Sequence, residues 1–77
     1  MRCEVLDLLT TLHPDYADEV SFCLCFPGAL VDFREKLLSE FIEAKRLAAA
    51  RPNDKVLWAT AIDTHSAWTL VAWALDS

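Results

Sequence analysis

The residues best equipped for chemistry fall in three places. Cys23 and Cys25 stand two apart, with Cys3, His13 and His65 elsewhere in the chain. Thiolate and imidazole are zinc ligands, but a structural zinc site takes four of them, usually in paired knuckles of the C-x2-C kind. A single C-x-C with scattered partners does not meet that pattern. The expectation is therefore no metal, with the cysteines acting as small apolar side chains and free thiols of a reducing cytoplasm.

Asp63, His65 and Ser66 are the residue types of nucleophilic hydrolysis. A working triad also needs converging geometry and an oxyanion hole, which three residues within four positions rarely supply. Asp, Thr and Ser are equally the ordinary residues of a turn. With one glycine in the chain, no glycine-rich phosphate loop is available. No catalytic residue and no cofactor is assigned.

The third group is Asp15, Tyr16, Asp18 and Glu19, an aromatic residue among three carboxylates. Acidic residues outnumber basic ones 12 to 7, for a formal net charge of −5. Direct nucleic-acid binding needs cations that displace condensed counterions, and an anionic membrane surface needs them too, so neither is expected as the partner. An acidic surface is steered toward basic proteins, including those that handle nucleic acid. No apolar run reaches the roughly 18 residues of a bilayer span, and acidic residues interrupt the start of the chain, so a cytoplasmic location is expected.

Seventy-seven residues allow one core, and residues 1–77 are read as a single domain. Apolar residues make up 55% of the chain, enough to leave some uncovered in a monomer. Trp58, Trp68 and Trp73 suit binding hot spots.

The clearest element runs from Gly28 to Ala50. Leu30, Phe33, Leu37, Phe41, Ala44 and Ala48 recur at helical spacing, with breaking residues at both ends, Pro27-Gly28 and Arg51-Pro52-Asn53-Asp54. A second stripe, Val31, Leu38 and Ile42, widens the apolar arc and marks a surface for a partner or for more of the chain. Glu19 to Phe26 alternates Val20, Phe22, Leu24 and Phe26 against smaller residues, which predicts a strand. Lys55 to Asp76 reads as two strands around Asp63-Thr64-His65-Ser66, although Ala67, Leu70, Val71, Ala74 and Leu75 also suit a short helix. Cys3 to Leu12 fits strand or helix, and His13-Pro14-Asp15 ends it in either case.

These elements give an α+β two-layer sandwich, one long helix on a four-stranded antiparallel sheet in the order ββαββ, or αβαββ if the first segment is helical. The expected function is a non-enzymatic protein-binding module, an inhibitor or adaptor docking on a basic partner. Asp15, Tyr16, Asp18, Glu19, Val31, Leu38, Ile42, Trp58, Trp68 and Trp73 are its contact residues, and a homodimer is the expected state. In size, acidity and lack of motifs the chain is similar to small phage-encoded inhibitors of bacterial defence, anti-CRISPR proteins among them. That similarity is one of profile. The second reading is a small-molecule-binding dimer with a pocket between helix and sheet, lined by Trp and Cys.

Overall fold

A computed structural model describes residues 2–76, with side chains described from Glu4 onward; Cys3 as a ligand or thiol therefore lies outside the described residues. The described chain is helical throughout: α1 (Arg2–Leu12), a 3-10 turn (Pro14–Tyr16), α2 (Ala17–Cys25), α3 (Ala29–Ala50) and α4 (Lys55–Asp76). The expected sheet, and with it both the ββαββ and αβαββ orders, is replaced by four helices.

The three prolines set the boundaries. A residue before proline is driven out of the α region by the ring's Cδ. His13 (φ −132°, ψ 71°), Phe26 (φ −130°, ψ 85°) and Arg51 (φ −131°, ψ 70°) all take the same extended conformation, each one residue past the end of a helix. After Pro52 the chain restarts on Asp54, whose Oδ1 accepts from the N–H groups of Val56 (3.0 Å) and Leu57 (3.3 Å). That N-cap satisfies two of the donors a helix start leaves open.

α4 is the largest departure from expectation. Its buried residues, Ala61, Thr64, Ala67, Leu70, Val71 and Ala74, follow a spacing of three and four, and Asp63 to Ser66 lies inside the helix. The β-branched threonines that favour a strand are accommodated because each hydroxyl donates to a carbonyl one turn back: Thr60 to Val56 (3.0 Å), Thr64 to Thr60 (2.8 Å) and Thr69 to His65 (2.8 Å). In α2 the alternation is likewise overridden. Val20 and Cys23, three apart, turn inward, and Phe22, Leu24 and Phe26 remain exposed.

α3 and α4 form a long antiparallel hairpin and share the most extensive contact, while α1 packs on α4 and α2 on α3. At 1.5 Å per residue, the 22-residue hairpin helices are about 33 Å long, and the 11-residue α1 is only about 16 Å. The short helices therefore cover half the hairpin. The core sits in that half, where Leu6, Leu9, Leu30, Leu37 and Val71 are fully buried. The other half is closed by small residues, Ala44, Ala48 and Ala61, and extends the molecule to 40 × 20 × 20 Å. Among the described residues no helix is long and apolar enough to cross a membrane.

Candidate protein-docking surfaces

Two apolar surfaces lie on opposite flanks of α3. The first is a groove of about 410 Å³ between α2 and α3, lined by Phe22, Cys23, Ala29 and Phe33 and rimmed by Asp18, Glu19, Asp32 and Lys36. Glu19 accepts from Lys36 Nζ at 3.2 Å, so this rim cation is already engaged. Phe22 and Phe26, one turn apart, pack at 5.0 Å between ring centroids and stay more than half exposed beside the groove.

Tyr16 adjoins the groove through Phe33 and itself lines a neighbouring cleft with His13, Asp15 and Asp63. Its ring meets Phe33 edge-on at 5.6 Å. Burial holds its hydroxyl above the usual phenol range, and Glu40, Glu19, Asp15 and Asp63 reinforce the shift in that order, because ionisation would add a negative charge among carboxylates. The acidic cluster inferred from Asp15, Asp18 and Glu19 is thus larger than the loop that suggested it. Asp32 and Glu40 from α3 and Asp63 from α4 join it, and the part of Tyr16 expected to be a free aromatic contact is instead partly buried. Burial also raises the Cys23 thiol, with Glu19 adding to the effect, so this floor residue resists becoming a thiolate.

The second surface is the side of the hairpin away from α1 and α2. The rings of Phe41 and His65 lie 4.9 Å apart and those of His65 and Trp68 5.9 Å apart. Beside them Phe41, Lys45, Trp58, Ala61, Ile62 and His65 line a shallow groove of about 290 Å³. By helical register Leu38 lies one turn before Phe41, and Ile42 one turn after Leu38. Val31, Leu38, Ile42, Trp58 and Trp68, expected partly on a helix and partly on a sheet face, are brought to this side by α3 and α4. Among the described residues there is no sheet to present such a face. Trp58 is held by its own indole N–H, which donates to the Pro52 carbonyl at 3.0 Å. Trp68 packs against the core, its buried indole N–H having no acceptor among the described residues, and Trp73 is more than half exposed farther along α4.

The metal and hydrolase patterns disperse. In a helix, residues two apart point some 200° away from each other, and Cys23 is buried while Cys25 is exposed. Among the described residues no group of three or more His, Cys, Asp or Glu is arranged to hold a metal. Asp63, His65 and Ser66 face different ways: the His65 ring lies between those of Phe41 and Trp68, tilted against both, and Ser66 Oγ lies 3.3 Å from His13 Nε2. Ser66 is in mid-helix, where backbone N–H groups are engaged in the helical ladder and cannot serve an oxyanion. The His13–Ser66 pair ties the end of α1 to α4. The pocket expected between helix and sheet has no sheet to form it.

Charge is distributed along the long axis. Residues 45–55 carry Lys45, Arg46, Arg51 and Lys55 against Asp54, a net of +3, and the rest of the chain carries Arg2, Arg34 and Lys36 against eleven acids, a net of −8. The hairpin tip is basic and the covered half is acidic. Comparison with protein-family models, curated proteins and solved structures finds no match to this chain.

Proposed function

We propose that the chain is a non-enzymatic protein-binding module, an inhibitor or adaptor that receives a basic amphipathic helix of its partner in the α2–α3 groove. The observation that carries this reading is the groove's composition, an apolar floor of Phe22, Ala29 and Phe33 under a rim of Asp18, Glu19 and Asp32. Helix-in-groove recognition takes apolar anchors at helical spacing on the floor and complementary charge on the rim. The exposed Phe22–Phe26 pair supplies the aromatic area that dominates interface energetics. Carboxylates steer the encounter and the rings set the lifetime, so salt slows association more than it speeds dissociation.

The test is fluorescence anisotropy with three labelled peptides of equal length: a Lys/Leu amphipathic helix, its scrambled isomer without an apolar face, and its Glu/Leu counterpart. The first binds and the other two do not. Asp18→Lys/Asp32→Lys weakens the first peptide by at least about tenfold, from the loss and reversal of two rim charges. Equal binding of the scrambled peptide, or unchanged binding by the variant, overturns the reading.

A further inference from the structure

The shallow groove on the hairpin's aromatic face differs in charge from the other clefts of the described surface. Three of those each hold two or more carboxylates, Asp18 with Asp32, Glu40 with Glu43 and Asp15 with Asp63. Among the described residues no carboxylate lines this one, in a chain of net charge −5. Its walls are Phe41 and Lys45, one turn apart on α3, and Trp58, Ala61, Ile62 and His65 on α4. Lys45 makes no ion pair among the described residues, whereas Arg34, Lys36 and Arg46 each have a carboxylate. The one donor of the Trp58 side chain is engaged by the Pro52 carbonyl, so its ring offers the groove an apolar surface only.

We infer that this groove binds a small aromatic monocarboxylate, with its ring system against Trp58, Ile62 and Phe41 and its carboxylate on Lys45 Nζ. Three observations select that ligand. The rings of Trp58, Phe41 and His65 favour a planar apolar body, since aromatic pairs gain from offset or edge-on contact beyond the area they bury. One unengaged ammonium beside an apolar floor matches a single negative charge at one end of the ligand. A volume of about 290 Å³ stands at the lower end of ligand sites and suits a molecule of roughly two fused rings. A polyanion fits less well, because a nucleic acid or an anionic bilayer brings repeated charge to a groove lined by one lysine. A cationic ligand meets Lys45 with no carboxylate in the lining to offset it. The α2–α3 groove lies on the other flank of α3, so this inference stands apart from the docking of a basic helix and either can fail alone.

The experiment is amide chemical-shift mapping of the isotopically labelled full chain with 2-naphthoate, and with 2-naphthylmethylamine as its cationic counterpart. Naphthoate is expected to give saturable shifts at Phe41, Lys45, Trp58, Ile62 and His65. Its dissociation constant should be on the order of 1 mM, the value for about thirteen heavy atoms at ordinary ligand efficiency. The amine should give no saturable shift there. Lys45→Glu, at an exposed position, weakens naphthoate about tenfold, because it removes a favourable charge contact and installs an unfavourable one, and it lets the amine bind instead. The helical circular dichroism spectrum of the variant is unchanged. No saturable shift up to about 5 mM naphthoate overturns the proposal. So do shifts centred on residues 18–36, equal binding of the amine by the wild type, or an unchanged dissociation constant in folded Lys45→Glu. If the same amides move when the unliganded chain is diluted from millimolar to micromolar concentration, a second copy covers the groove and the proposal is equally overturned.

Discussion

Asp63 distinguishes a continuous α4 from two strands joined by a turn. It is exposed in mid-helix, so substitution there tests the backbone with little packing at stake. In a helix interior glycine is less favourable than alanine by about 1 kcal/mol, because it loses more backbone freedom on folding. Asp63→Ala and Asp63→Gly both remove the carboxylate that acts on Tyr16, so that effect cancels between them. What remains is the backbone preference, about 1 kcal/mol, which in a domain of this size separates the two melting temperatures by roughly 4–8 °C, alanine higher. Asp63→Pro removes a ladder donor and clashes with the preceding turn, a loss of about 3 kcal/mol or more. Thermal melts followed at 222 nm measure all three. If Asp63→Gly melts above Asp63→Ala, residues 63–66 form a turn and the continuous helix is wrong.

Three further outcomes follow from burial. Leu37→Ala, at a fully buried site facing the other helices, costs about 3–5 kcal/mol, whereas Ile42→Ala, more than half exposed, costs under about 0.5 kcal/mol; urea titration of each separates them, and equal losses would contradict the assigned core. In a Cys3→Ser background, Cys25 reacts with a thiol reagent at the rate of a free thiol and Cys23 only as the protein opens; two fast thiols would place Cys23 at the surface. Tyr16 has its folded pKa raised above the unfolded value of 10.0, so its contribution to stability is complete below pH 10 and is lost as the pH rises through the folded value. Melts above pH 10 therefore fall more steeply for the wild type than for Tyr16→Phe, and parallel curves would show that the ring is not held away from water.

The long helix at 28–50 and the breaks at Pro14, Pro27 and Pro52 were legible because proline geometry and a 3.6-residue period act locally. The rest turned on features that the pattern of apolar residues does not carry. Val20, Phe22, Leu24 and Phe26 alternate as a strand would, yet only Val20 of the four is buried, and of the three exposed members Phe22 lines the groove. The same segment holds Phe22 and Phe26 at a spacing of four, a helical signal that the alternation obscured. In α4 the bulky Trp58, Ile62, Trp68 and Trp73 suggested strands, but the close contact is made by Ala61, Ala67 and Ala74, whose small size lets helices approach. Of the docking surfaces, the carboxylates at 15, 18 and 19 were visible as a run. Asp32, Glu40 and Asp63 were not, since only the tertiary arrangement brings α3 and α4 to Tyr16. The polarity of the molecule, basic tip and acidic base, was present in the residue order and acquires meaning once α3 and α4 form a hairpin that puts residues 45–55 at one end.

The proposed recognition of a basic helix is tested most directly by amide chemical-shift mapping of the isotopically labelled chain during titration with the Lys/Leu amphipathic peptide. The account predicts saturable shifts concentrated at residues 18–36, around Asp18, Phe22, Ala29 and Asp32, with residues 45–55 of the basic tip unmoved. Shifts centred on the aromatic face at Phe41, Trp58 and Ile62, or scattered over every exposed carboxylate without saturation, would contradict it.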